Sequence, residues 1–206
     1  MTFREIQFES LLSLGTGGHV VIDDFLSPGE LDYWRALAMH KQESGVMRPA
    51  AIGQGRRRLV ARAIRNDWIV WIEPDPGHAI EAKLAQRLEG LRCALNQQFM
   101  LGLFDLELHL TAYLAGGFYA AHVDRFRDDD HRIVSMIIYL NDGPWPSEDG
   151  GMLQIWSEGG PDVGPHIDIA PIGGRLVLFM AASTLHAVTA TPRPRTALTG
   201  WFRRRD

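Results

Sequence analysis

One cysteine in 206 residues, Cys93, leaves no intrachain disulfide framework and no zinc site built on several thiolates. Long apolar runs are missing as well. The longest uncharged stretch, Leu176 to Pro192, is too short and too polar to span a bilayer. The opening Met1-Thr2-Phe3-Arg4-Glu5 carries an acid early and lacks the apolar segment of a signal peptide, so a cytoplasmic protein with no membrane partner is expected. An excess of positive charge is also lacking. Twenty-one Lys and Arg against 25 Asp and Glu give a net charge of −4, which speaks against a protein that binds nucleic acid by neutralising phosphates. No G-x-S-x-G, Walker lysine motif or G-x-G-x-x-G occurs, which removes support for hydrolase, NTPase and dinucleotide-binding readings. There is no internal repeat, linker or low-complexity segment. Arg56-Arg57-Arg58, Asp128-Asp129-Asp130 and Arg203-Arg204-Arg205 read as solvated loops or a frayed terminus.

What is present is an ordinary globular mixture, 46% hydrophobic and 22% charged, at a length that suits one domain over residues 1–206. Residues 1–104 read as helical support. Ser27-Pro28-Gly29-Glu30 is a helix start, with a serine cap, proline in the first turn and glutamate three residues on. A second helix is expected to open at Asp75-Pro76, its stripe of Ile80, Leu84, Leu88, Leu91 and Leu95 facing the core and Cys93 a small buried thiol beside it. Between them, residues 45–58 are rich in glycine and arginine and read as one long loop. From Leu106 onward the character changes. Short apolar or alternating runs, punctuated by Asn141-Asp142-Gly143 and Gly173-Gly174, predict seven or eight strands of a sandwich, jelly roll or barrel.

Two histidines and a carboxylate can be drawn from these strands. His122 and Asp124 stand two apart, so on a strand they share a face, and His186 lies 64 residues later, far enough for the chain to wind back beside them. Such a facial triad suits non-heme Fe(II) and leaves positions open for substrate and oxygen. His166-Ile167-Asp168 repeats the spacing beside Pro165 and Pro171 and is set aside as a surface pair; His19, His40, His78, His109 and His131 read as structural or exposed. Arg195 strengthens the triad, because a buried guanidinium needs an anion and a carboxylate cosubstrate would supply one. Alternation puts Thr199 and Trp201 on its face, and Ser135, Ile137 and Tyr139 together on another strand. Arg193 lies in the turn between Pro192 and Pro194, before the strand begins, and is expected on the other side of that turn.

These residues resemble the Fe(II)- and 2-oxoglutarate-dependent prolyl hydroxylases, of the oxygen-sensing type that modifies hypoxia-inducible factor, and within them the bacterial enzymes that hydroxylate elongation factor Tu. The likeness runs from about Ile64 to Phe202 and is carried by His122-Val123-Asp124, Ile138-Tyr139-Leu140-Asn141, Gly150-Gly151-Met152-Leu153, His186-Ala187-Val188 and Arg195 to Phe202. Leu101-Gly102-Leu103, Asp124 to Asp130 and the closing Trp201-Phe202-Arg203-Arg204-Arg205 resemble the bacterial branch. The resemblance implies an α+β, mainly β fold: a double-stranded β-helix (jelly-roll, cupin-like) in residues 105–206, braced by N-terminal helices. It implies Fe(II), 2-oxoglutarate and O2, with ascorbate as a further ligand, and hydroxylation at the 4-position of a protein proline with release of succinate and CO2. His122, Asp124 and His186 would hold iron, and Arg195 with Tyr139 would bind the distal carboxylate. Tyr113, Thr199, Ser135, Ile137 and Trp201 would complete the cosubstrate pocket, while Asp67, Trp71, Arg65 and Tyr119 would meet the substrate. The loop at residues 45–58 would cover a peptide. A monomer acting on elongation factor Tu, without nucleic acid, is the expectation; oxidation of a small molecule and non-catalytic metal binding are the alternatives.

Overall fold

A computed structural model describes residues 8–15, 18–53, 59–125, 131–156, 160–162, 164 and 166–205, with backbone only for residues 8–10. Arg56-Arg57-Arg58 and Asp128-Asp129-Asp130 lie outside these. The described elements, in chain order, are α1 (Phe8–Gly15), β1 (His19–Ile22), α2 (Pro28–Glu43), β2 (Arg48–Pro49), β3 (Trp68–Trp71) and α3 (Ala79–Phe99). There follow β4 (Leu103–Tyr113), β5 (Gly117–His122), β6 (Arg132–Tyr139), β7 (Leu153–Trp156), β8 (His166–Ile169), β9 (Leu176–Met180), β10 (Leu185–Thr191) and β11 (Arg195–Arg204). No described helix is long and apolar enough to cross a membrane.

The strands form two antiparallel sheets. One has the order β1-β9-β6-β11-β4-β3-β2 and the other β5-β10-β7-β8. From β4 to β11 the chain crosses repeatedly between the two sheets, visiting the large one at β4, β6, β9 and β11, which is the winding of a double-stranded β-helix. Strand alternation sorts its side chains into two cores. On β6, Val134, Met136 and Ile138 face the helices with Leu108, Leu110, Leu198 and Phe202, where Trp34, Leu84, Leu88, Leu91 and Leu95 cover them. The opposite face of the same strand sends Ile137 and Tyr139 between the sheets, against Leu153, Ile155, Val177, Phe179 and Ala197. One residue of slip in β6 or β11 would exchange these faces, so register is strongly specified.

The start of α2 follows the cap signal: the Glu30 carboxylate accepts from the Ser27 backbone N–H and hydroxyl, both at 2.8 Å. The start of α3 does not lie at Asp75-Pro76. Asp75 instead accepts the Gly77 N–H at 2.8 Å on its side chain and the His78 N–H at 3.1 Å on its carbonyl, forming a turn that delays the helix to Ala79. Cys93 is exposed, not buried. It lies two residues past Leu91, about 200° round the helix, and so leaves the stripe that Leu84, Leu88, Leu91 and Leu95 bury. The segment expected to be one loop contains β2, and its Ile52 forms an antiparallel bridge with Leu59, just beyond the segment. Arg204 is exposed to solvent as expected, but the chain does not fray there: Arg203 and Arg204 end β11, where Arg203 is half-buried and forms a two-pronged pair with Asp105 at 2.9 and 2.6 Å.

Candidate active site

His122 and His186 sit directly opposite one another in the β5–β10 pair. Each ring is fixed from behind: His122 Nδ1 lies 2.8 Å from the Ala120 carbonyl and His186 Nδ1 3.0 Å from that of Thr184. A carbonyl oxygen only accepts, so both Nδ1 atoms carry the proton and both Nε2 atoms are free to ligate. Asp124 lies just beyond β5 rather than on it. There its backbone N–H turns to the Ala181 carbonyl, and its carboxylate reaches 3.4 Å from His122 Nε2 and 3.7 Å from His186 Nε2. The three ligand atoms fall within 4.8 Å of one another. Ser135 donates to Asp124 at 2.6 Å. Burial raises the Asp124 pKa, but His186, His122 and Ser135 outweigh it and hold the carboxyl ionised below its ordinary range. Burial lowers His186 to about 4, so this ring is neutral, the form that binds metal.

The triad stands at one end of a cavity of about 290 Å³, and Arg195 stands in its wall. Cross-strand register fixes the distance between them. Arg195 pairs with Tyr113; Ala197 lies between Tyr139 and Thr111; Thr199 lies between Ile137 and His109; Trp201 lies between Ser135 and Glu107. Since Ser135 holds Asp124, the triad lies near the Trp201 end, three same-face steps along β11 from Arg195. Arg195 is 2% exposed, and its guanidinium carbon lies 5.0 Å from the ring centres of both Tyr113 and Tyr139. Burial raises both phenols, which therefore remain neutral donors. Among the described residues no carboxylate pairs with Arg195. Its Nε and Nη2 and the Tyr139 hydroxyl have no hydrogen-bond partner. Gly151 makes room for it: at φ 62, a Cβ there would lie 3.1 Å from Arg195 Cδ.

The mouth is formed by Arg65, Trp71, Tyr119 and Val123, with Ala51, Ile52 and Gly53 from the edge of the loop. Arg65 lies over Tyr119 at 4.2 Å, and Tyr119 stacks on His122 at 3.5 Å between centres. Three residues expected in the pocket act from behind it: Ser135 through Asp124, Tyr139 beside Arg195, and Asp67 through Arg65. Asp67 is 1% exposed and accepts from Arg65 at 2.7 and 2.6 Å, a bidentate pair that holds the arginine toward the mouth. His166 and Asp168 lie on the edge strand β8, largely exposed and away from the cavity.

His109 was missed. It lines the cavity at 2% exposure, between Trp71 at 4.9 Å and Trp201 at 5.3 Å. A signal was available: residues 107, 109, 111 and 113 alternate onto one face of β4, so His109 shares the face of Tyr113. Thr111, Leu153 and Val188 also line the cavity and went unnoticed, because nothing about an isolated apolar or hydroxyl residue in a strand marks a wall.

The donor set suits an octahedral-type metal that keeps open positions and a dicarboxylate beside it. Two imidazole nitrogens and one carboxylate face a common point, and a buried cation with partnerless donors waits at the far end.

The known proteins similar to this chain agree with that chemistry. Residues 108–203 match the 2OG-Fe(II) oxygenase superfamily. A Pseudomonas putida prolyl-4-hydroxylase is 37% identical, covers 96% of this chain and 98% of its own, and superposes with a TM-score of 0.82. A Trichoplax adhaerens prolyl hydroxylase, solved with a peptide of hypoxia-inducible factor, is 25% identical at the same TM-score, over 98% of this chain and 93% of its own. The Caenorhabditis elegans hypoxia-inducible factor prolyl hydroxylase is 27% identical over 98% of this chain, which spans only 29% of that longer protein. The chain belongs to the 2OG-Fe(II) oxygenase superfamily, whose cofactors are Fe(II), 2-oxoglutarate and O2.

Proposed function

We propose that the whole chain is one oxygenase domain that hydroxylates a prolyl residue of a protein at its 4-position, with elongation factor Tu as the substrate of first choice. The observation that carries the cosubstrate reading is Arg195: a cation 2% exposed, without an anion among the described residues, at the far end of a cavity from two histidines and an aspartate. Isolated charge in such a place is prohibitively costly, so the fold expects a carboxylate. The prolyl reading draws on the Pseudomonas putida enzyme at 37% identity and on the Trichoplax complex with a peptide. The bacterial substrate draws on the resemblance of Leu101-Gly102-Leu103 and Asp124 to Asp130.

In this reading His122, Asp124 and His186 hold the iron, with Nε2 presented by both rings because their Nδ1 protons are committed to carbonyls. Arg195, with Tyr139 beside it, binds the distal carboxylate, and Tyr113, Thr199, Ile137 and Trp201 wall the pocket. With Fe(II) and 2-oxoglutarate bound there, the site would have the chemistry of oxidative decarboxylation, in which the two atoms of O2 end in succinate and in the hydroxyl on the proline carbon, with release of CO2. The chain itself orients and dries the site. Leu153, Val188 and Ile137 exclude water, and Arg65, held by Asp67, meets the incoming peptide with Trp71 and Tyr119. Misplacement by about 1 Å can cost on the order of 100-fold in rate, which is the use of these rigid supports.

Purified elongation factor Tu incubated with the protein, Fe(II) and 2-oxoglutarate should gain about 16 Da on one proline, the mass of one oxygen atom. Free proline that is turned over in preference to the protein would replace this reading with a small-molecule oxygenase.

A further inference from the structure

The Arg195 end of the cavity is recognisable by buried polar atoms that have no hydrogen-bond partner among the described residues: Arg195 Nε and Nη2 and the Tyr139 hydroxyl. The same signature recurs at the other end. His109 Nδ1 and Trp201 Nε1 are buried without a hydrogen bond among the described residues, and the two rings stack 5.3 Å apart. Both residues line the cavity. Register puts them in the rungs nearest the metal triad: His109 beside Thr199, and Trp201 beside the Ser135 that holds Asp124. Buried polar groups in native proteins are paired in nine cases or more out of ten, so two orphans on one wall call for an occupant with acceptor oxygens. Burial, then the charges of Arg65 and Arg132, lowers His109 to about 3, with Asp124 opposing. The ring is therefore neutral in ordinary buffers and offers one N–H and one acceptor. The Trp201 indole offers one N–H.

We propose that His109, with Trp201, forms a second binding pole of the cavity and holds the ketoacid end of 2-oxoglutarate by hydrogen bonds, as Arg195 holds the distal end. His109 is a positioning residue for the cosubstrate: it keeps the chelating end in one orientation, while Thr199, bonded to Thr111 at 3.2 Å, stands beside it in the same wall. The inference rests on the 2-oxoglutarate reading of the cavity, and it assigns a task to a histidine that the iron site and the arginine do not use.

The test is binding, without turnover, to Mn(II)-loaded protein by calorimetry, using 2-oxoglutarate and oxalate. Oxalate chelates as the ketoacid end does but has no distal arm. His109→Leu should weaken both ligands by about tenfold or more, since a hydrogen bond to a charged group is lost, and should leave Mn(II) affinity unchanged. Arg195→Ala should weaken 2-oxoglutarate and spare oxalate. His109→Asn, which can return an N–H near the place of Nδ1, should recover much of the loss. If His109→Leu binds both ligands within twofold of the parent, or if it loses Mn(II) as well, the second pole is overturned. A parent protein that binds Mn(II) but not 2-oxoglutarate would instead overturn the reading of the cavity on which the pole depends.

Discussion

The position of Arg195 follows from alternation along one strand. Arg195, Thr199 and Trp201 share a face, and the register with β4 and β6 delivers all three to one cavity. Arg193, two residues earlier, goes elsewhere: it stacks on Trp145 at 3.8 Å and pairs with Asp149 at 3.2 Å. Arg195→Ala should therefore raise the apparent 2-oxoglutarate constant about 100-fold or more, because truncating one member of a buried ion pair costs roughly 3–5 kcal/mol. Arg193→Ala should change it by no more than about twofold. Steady-state titration of the cosubstrate checks both, and a larger effect at Arg193 would mean that the two arginines exchange roles. The same alternation would have found His109, two same-face steps from Tyr113 on β4, but a lone histidine without a ligand partner in sequence carries no signal of its own. Asp67 was legible as important and illegible in role, since only the fold shows that its carboxylate faces Arg65 rather than the cavity.

Elements were legible where local chemistry decides them. Ser27 to Glu30 set the start of α2, and the α3 stripe buried the face its spacing implies. The strands β4 to β7 and β9 to β11 emerged from alternation and turn residues. Short strands did not: β2 has two residues, and β3 (Trp-Ile-Val-Trp) and β8 exist because neighbouring strands supply their hydrogen bonds. Glu30 ties the helical layer together. It caps α2 and reaches Lys83 and Arg87 of α3, each at 3.1 Å. Burial raises its pKa, but the Ser27 N–H and hydroxyl, then Lys83 and Arg87, bring the carboxyl from 4.5 down to about 2. A depressed carboxyl stabilises the fold fully above its unfolded value and loses that contribution as pH falls from about 4.5 toward 2. Glu30→Gln should cost about 1–3 kcal/mol at pH 7, the value of a charged hydrogen-bond partner lost from a buried site. In urea melts the gap from the parent should narrow at pH 3; a gap that is constant with pH would contradict the ionic role.

On the scale of the whole molecule, the helices cover one face of the large sheet so that its other face can enclose the cavity with the small sheet. Residues 51–53 bring the edge of a loop to the mouth of that cavity, and the Ile52–Leu59 bridge closes the loop behind them. A small metabolite would not require such a cover, whereas a peptide has surface enough to meet it. Replacing residues 54–58 by two glycines leaves three residues between the bridged strands, a length that hairpins accept. This variant should lose protein hydroxylation and retain slow, uncoupled consumption of 2-oxoglutarate. Undiminished hydroxylation would show that the loop does not touch the substrate.

In the proposed reaction one O2 is divided between a carboxylate cosubstrate held by Arg195 and a proline of a protein. Turnover under 18O2 followed by mass spectrometry should place one 18O in succinate and one in hydroxyproline, in equal amounts, and neither with the His186→Ala protein. Labelled succinate with no label on any protein proline, from a parent protein that is otherwise active, would contradict it.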